Sequence, residues 1–214
     1  MTPSQPARIV VLASGRGTNL QALLDATAPT SDSPLAGKAR VVAVFSHTPT
    51  AIALDRAKRH GIPATFVAPP KKREDRAAWD EALADHIAHS EPDVIVLAGW
   101  MRILGPGFIA RFPDPCDANR ARILNLHPAL PGQLPGNDAI EQAFAEAEAG
   151  TRTESGVMVH VVVPEVDAGP VVTFEHVPIP QGTSYEAFEA AIHDAEHRVI
   201  VSAVADFLAV AKLV

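Results

Sequence analysis

The feature that most constrains the fold is a series of short, nearly unbroken apolar runs separated by helix-forming stretches. "RIVVLAS" (8–14), "ARVVAVFS" (39–46), "PATFVA" (63–68), "DVIVLAGW" (93–100) and "ARILNL" (121–126) lack the polar alternation of a half-exposed strand. Strands without alternation are buried on both faces, as in a parallel sheet covered by helices. Between them lie "NLQALLDA" (19–26), "AIALDRAKRHG" (51–61) and "REDRAAWDEALADHIAHS" (73–90), where Trp79, Leu83 and Ile87 fall at helical spacing. A short helix is expected around "GPGFIARF". This alternation predicts an α/β fold, a doubly wound, Rossmann-like, mostly parallel sheet with helices on both faces. Ligands of such sheets bind beyond the carboxyl ends of the strands.

After residue 137 the pattern changes. "NDAIEQAFAEAEAG" reads as a helix ending at Gly150. "SGVMVHVVV" and "GPVVTFEHVPI", joined by "PEVDAGP", read as an antiparallel addition in the C-terminal half. "TSYEAFEAAIHDAEHRVIVSAVADFLAV" is a long helix, with Thr183 and Glu186 at capping-box spacing. No repeat or clear linker interrupts the chain. A single domain over 1–214 is expected, with one lobe at 8–110 and a second at 111–214 that carries the strand 121–126, the hairpin and the long helix.

Composition excludes several classes. The net charge is −7, and the one basic cluster, "KKRED", carries its own acids, so no nucleic-acid partner is expected. No apolar stretch approaches a membrane span. "MTPSQPARIVVLAS" reads as a disordered lead-in to a strand and not as a signal peptide. The single cysteine, Cys116, excludes an internal disulfide and suits a reducing cytoplasm.

Three polar features interrupt this apolar frame. In "LASGRGTNL", Gly15 and Gly17 free the backbone between the first strand and first helix, while Arg16, Thr18 and Asn19 supply polar groups there. The loop reads either as a phosphate cradle at a helix N-terminus or as a tight β–α turn. It lacks the third Gly of the dinucleotide fingerprint and the Lys of a P-loop. In "NLHPALPG", Asn125 and His127 stand two apart at a strand end, so they share one face. In "VDAGP", Asp167 sits in a Gly/Pro turn, where an Asp often only bonds its own backbone. No Ser or Cys accompanies the Asn–His pair. The three groups therefore suit a transfer in which the substrate brings the nucleophile: His127 can donate a proton or hydrogen bond, Asn125 can donate an N–H to a developing oxyanion, and Asp167 can orient or charge His127. His193 and His197 are four apart on a helix, but "HDAEH" is not a zincin motif, and no metal is expected. His160 reads as a structural histidine or a neighbour of the site.

"VVLASGRGTNLQALLDA", "PDVIVLAGWMRIL", "NLHPALPG" and "VDAGPV" together resemble, in order and over about residues 8–210, the folate-dependent formyltransferases of purine synthesis, in their glycinamide ribonucleotide branch. The resemblance implies an enzyme that moves a formyl group from 10-formyltetrahydrofolate to the amine of 5-phosphoribosylglycinamide. It implies a catalytic trio of Asn125, His127 and Asp167. Gly15, Arg16, Gly17, Thr18 and Asn19 would surround the ribonucleotide phosphate, and Glu196 the ribose. Arg76, Met101, Arg102, Ile103, Leu104 and Asn125 would line the folate site. Further implications are a cytoplasmic monomer or homodimer with small-molecule substrates and no metal. Departures from the family pattern are Pro131–Gly132 in "HPALPG", Ala168 in the turn, Trp100 where Phe is common, His193 where some relatives carry Gln, and a longer "FPDPCDANRA" link. A formyl-folate hydrolase is a weaker reading because such relatives carry a preceding domain. Transfer to an amino sugar nucleotide or to methionyl-tRNA is disfavoured by the "SGRGTN" loop and the acidic charge. A non-enzymatic anion-binding domain has only the altered "PALPG" in its favour.

Overall fold

The computed structural model describes residues 5–211, apart from the side chain of Arg73; residues 1–4 of the expected lead-in lie outside them. Seven strands form one sheet: β1 (Ala7–Leu12), β2 (Ala39–Ser46), β3 (Ala64–Phe66), β4 (Val94–Leu97), β5 (Ile123–His127), β6 (Glu154–Val161) and β7 (Val171–Pro178). Their order is β3-β2-β1-β4-β5-β6-β7. The first five run parallel, and β6 and β7 are added antiparallel. The doubly wound sheet with a C-terminal antiparallel addition is thus as the apolar runs predict, and one sheet passes through both expected lobes.

Among the described residues, six helices accompany the sheet: α1 (Thr18–Thr27), α2 (Ile52–Arg59), α3 (Arg76–Ala88), α4 (Pro106–Ala110), α5 (Ala139–Glu148) and α6 (Tyr185–Val210). The central strands explain their own sequence. Every residue of β4, "VIVL", is buried, as are residues 9–12 of β1. At about 1.5–3 kcal/mol per buried large aliphatic side chain, these strands supply much of the driving force for the fold. α6 lays Phe188, Ile192, Val199, Ile200, Ala203, Val204, Phe207 and Leu208 on the core as one stripe.

Element ends differ from expectation where side-chain chemistry decides them. β4 stops at Leu97, because Gly99 turns the chain at φ 74° and hands its carbonyl to Ser14 N–H. β5 starts at Ile123 and keeps His127 within the strand, while Ala121 only bridges Pro113. The expected helix over 73–90 opens with a single 3-10 turn at 73–75. The cap of α6 is Ser184, whose Oγ accepts from Ala187 N–H, and not Thr183, whose hydroxyl donates to the Pro180 carbonyl. The long link before β5 is organised by buried Asp114, which accepts from Cys116 N–H and pairs with Arg120.

The sheet order reverses beside β1, with β2 on one side and β4 on the other. The carboxyl ends of β1, β4 and β5 therefore border one crevice, the position where doubly wound sheets bind ligands.

Candidate active site

The reversal in strand order opens a cavity of about 660 Å³. Its lining includes Asn125, His127, His160, Asp167, Glu196 and Arg76, with Met101–Leu104 along one wall. Asn125 and His127 reach it because β5 alternates, and their cross-strand partners on β6 are His160 and Met158. Asp167 arrives from the β6–β7 turn, held at φ 52°. Gly169 sets the depth of that turn, since a Cβ there would stand 1.7 Å from the Val161 carbonyl oxygen.

The hydrogen bonds define how these groups are oriented. Asn125 Nδ2 lies 3.2 Å from Asp167 Oδ1 and 3.1 Å from His160 Nε2. An ionised carboxylate only accepts, so the amide nitrogen of Asn125, not its oxygen, faces Asp167. His160 Nε2 also lies 3.5 Å from Asp167 Oδ1, and its Nδ1 lies 3.0 Å from the Val161 carbonyl oxygen. Asp167 Oδ2 also accepts from Gly136 N–H at 3.0 Å. His127 Nε2 donates to the Leu134 carbonyl at 3.0 Å, which directs Nδ1 toward Asp167 Oδ2 at 3.6 Å.

Burial and charge oppose each other on this trio. Burial pushes the His127 imidazole below its usual range, while Asp167 and the Leu134 carbonyl pull it back up without fully compensating. Burial thus disfavours the imidazolium at His127, and the Asp167 carboxylate opposes that effect. Burial raises Asp167, but the His160 imidazole, the Gly136 N–H and nearby His127 outweigh it, and the carboxyl ends below its usual range. Asp167 thus stays ionised at neutral pH beside a neutral imidazole nitrogen.

The loop at 130–134 has a definite geometry. Gln133 N–H donates to the Leu130 carbonyl, with Pro131 and Gly132 (φ 74°) between them. Pro followed by a positive-φ Gly is the signature of a type II turn. Leu134 follows at φ 45°, an unfavourable conformation for a leucine, and it is this residue whose carbonyl holds His127. Strain is concentrated where the site is assembled.

The glycine loop lies beside the cavity and does not line it. Gly17 adopts φ 70° against α2, and a Cβ there would stand 2.8 Å from Ala53 Cα. No side chain caps α1, whose N-terminus lies beside exposed Gly15 and Arg16 and half-buried Thr18. Asn19 connects the loop to the cavity by donating from Nδ2 to Glu196 Oε2 at 3.1 Å. At the opposite end, Met101 and Ile103 are about half exposed, while Leu104 and Trp100 are buried. Arg102 lies over the Trp79 ring, which stacks on Trp100, and Arg76 donates to the Ile103 carbonyl.

Three contributors escaped the sequence reading. Two are the backbone groups of Leu134 and Gly136, which carry no residue-type signal. The third is His47, which lines the cavity, contacts Ser14 Oγ at 3.1 Å and packs edge-on to Trp100. Its place at the end of β2, beside the strand-order reversal, was the available clue. Among the described residues, no group of three His, Cys, Asp or Glu is arranged to hold a metal ion. None of their helices is long and apolar enough to cross a membrane.

The sequence profile of the family described as "Formyl transferase" matches residues 7–204. A phosphoribosylglycinamide formyltransferase from Schizosaccharomyces pombe is 42% identical over 204 residues, covering 92% of this chain and 95% of its own. One from Escherichia coli is 38% identical over 191 residues, covering 89% and 82%. A phosphoribosylglycinamide formyltransferase structure from Coxiella burnetii superposes with a TM-score of 0.81 at 32% identity, over 96% of this chain and 88% of that one. With matches of this extent and identity, the chain belongs to the phosphoribosylglycinamide formyltransferase family of formyl transferases.

Proposed function

We propose that the chain transfers the formyl group of 10-formyltetrahydrofolate to the glycyl amine of 5-phosphoribosylglycinamide, a step of purine biosynthesis. The observation that carries this reading is the convergence of Asn125, His127 and Asp167 on one cavity whose lining, among the described residues, offers no hydroxyl, thiol or amine side chain. Such a site suits a nucleophile that arrives with the substrate. The two ends of the crevice suit the two substrates. Free N–H groups, Arg16 and buried Glu196 match a ribose phosphate. The apolar wall of Trp100, Met101 and Leu104 with the guanidinium groups of Arg76 and Arg102 matches a flat aromatic ligand that carries carboxylates. Arg76, Met101, Arg102, Ile103 and Leu104 are accordingly the residues we assign to the folate.

The geometry gives each group a step. The Leu134 carbonyl fixes the Nε2–H tautomer of His127 and leaves Nδ1 as a base. His127 Nδ1 takes the proton released by the amine as its nitrogen bonds to the formyl carbon. Asp167 stabilises the imidazolium so formed, within a site that otherwise resists charge. His127 then returns the proton to the folate nitrogen as its bond to the formyl carbon breaks. Asn125 supplies an N–H to the developing oxyanion by exchanging one of its bonds to His160 or Asp167.

We place this enzyme in the cytoplasm as a monomer or homodimer. The test of the function is turnover of purified protein with both substrates. Formylated ribonucleotide should appear in step with loss of formyl folate, and neither should change when the other substrate is omitted. Absence of turnover, or loss of formyl folate without the amine acceptor, would refute the reading.

A further inference from the structure

The loop at 130–134 carries the carbonyl that holds His127, and it is fastened from behind by a residue outside the cavity. Leu130 is buried over Gly156 of β6, where a Cβ would stand 2.4 Å from the leucine Cδ2. Three residues on, Gln133 Oε1 accepts from Arg152 Nη1 at 2.7 Å. A guanidinium only donates, so it is the amide oxygen of Gln133 that faces it. Arg152 is itself fixed at two more points. Its Nε donates to Glu146 Oε2 in the last turn of α5 at 2.7 Å, and Nη1 also donates to the Glu154 carbonyl at the start of β6 at 3.2 Å. The Arg152 side chain is only 16% exposed, so these charge-assisted bonds are largely shielded from water. Leu134 follows Gln133 directly, at φ 45°, with its carbonyl 3.0 Å from His127 Nε2. A leucine keeps that backbone only where its surroundings hold it there. The turn's own bond, from Gln133 N–H to the Leu130 carbonyl, ends one residue short of Leu134. The side chain of Gln133, gripped by Arg152, supplies the next hold.

We propose that Arg152 is a positioning residue for the transfer: through Gln133 it holds the Leu134 carbonyl on His127 Nε2, and so keeps His127 Nδ1 free of a proton and turned toward Asp167. The inference rests on the role given to His127 in the proposed function. Which nitrogen of a neutral imidazole carries the proton is set by the partners of the two nitrogens. Here the Leu134 carbonyl asks for the proton at Nε2, and the Asp167 carboxylate, 3.6 Å from Nδ1, asks for it at Nδ1. Both are acceptors, and only one can be satisfied by a neutral ring. Releasing the loop lets Leu134 leave its left-handed conformation and withdraws the first acceptor. The proton then moves to Nδ1, facing Asp167, and a ring in that form cannot take a proton from the amine there.

Nitrogen NMR of the protein labelled with ¹⁵N in its histidine rings, at about pH 8 where an unperturbed imidazole is neutral, tests this without any substrate. The His127 signals are identified by their loss in His127→Gln. The expected result is a proton on Nε2 in the wild type and a shift of the proton toward Nδ1 in Arg152→Ala, with kcat lowered about tenfold or more and both KM values little changed. Gln133→Ala should do the same, and the double variant should be no worse than either single one, because all three break one link. Gln133→Glu keeps an acceptor for Arg152 and should retain the wild-type ring signals. Thr151→Ala removes the bond from the Thr151 hydroxyl to the Glu146 carbonyl, loosening the same corner without touching Gln133, and should leave both the ring and kcat as in the wild type. A His127 ring unchanged in Arg152→Ala would overturn the proposal and reduce Arg152 to a brace between α5 and β6. A ring altered equally by Thr151→Ala would overturn it too, since any loosening would then suffice. Absence of turnover in the wild type would instead refute the proposed function, while the ring signals still decide the link.

Discussion

Asp167→Asn removes one negative charge with almost no change in shape, and the structure says what that charge does. The carboxylate faces His127 Nδ1 at 3.6 Å and accepts from Asn125 and Gly136. Two unit charges at that separation, in a site with an effective dielectric of about 20, attract by about 4–5 kcal/mol. The Asp167 side chain retains 12% exposure, and solvent reduces the attraction to about 3–4 kcal/mol. The imidazolium exists only after the amine has given up its proton, so the lost stabilisation falls on the barrier and not on substrate binding. The expected result is a fall in kcat of about 10²–10³-fold, with both KM values within about threefold of wild type. The Asn amide can still accept from Gly136 N–H, so the turn should persist. Steady-state kinetics with each substrate varied, alongside a thermal melt, measures all of this. A variant that keeps the wild-type melt and turns over within threefold of wild type would refute the charge argument. A loss confined to KM would equally refute it.

Other consequences follow from specific contacts. Gly17→Ala puts a Cβ against Ala53 at a left-handed position, so it should cost about 2 kcal/mol or more by chemical denaturation and raise KM for the ribonucleotide far more than KM for the folate. Asp114→Ala strands Arg120 and leaves the link before β5 without its buried acceptor, and should lower stability by about 3 kcal/mol, measured in urea. His127 has a folded-state pKa below its unfolded value near 6.5, so the unfolded chain binds its proton first as pH falls. Its contribution is full above that value and is lost on acidification, so His127→Gln should lose less melting temperature than wild type between pH 7.5 and pH 5.

Much of this site is written in residue order. Asn125 and His127 share a face because a strand repeats every two residues, and their place at the end of an apolar run puts them at the carboxyl edge of the sheet. The fold is legible for the same reason: "VIVL" and "RVVAVF" have no polar face and can only be central strands. The charge state of His127 is not legible. It depends on desolvation by loops far along the chain and on a carbonyl from Leu134, and any residue supplies a carbonyl. The orientation of Asn125 is likewise set by His160 across the sheet, through a pairing visible only once β6 is in register. The cap of α6 falls one residue beyond the expected Thr183 because Thr183 and Ser184 both suit the role, and the preceding turn at Pro180 claims the threonine hydroxyl.

The central claim is that the nucleophile is carried by the substrate and meets the formyl carbon between Asn125, His127 and Asp167. A crystal structure of the ternary complex with 5-phosphoribosylglycinamide and a non-transferable folate analogue measures it directly. The account predicts the phosphate on the 15–19 loop and the ribose at Glu196. It also predicts the amine within about 3–3.5 Å of the atom that replaces the formyl carbon, with His127 Nδ1 in reach of that amine. A phosphate bound elsewhere, or an amine held out of reach of both the analogue and His127, would contradict it.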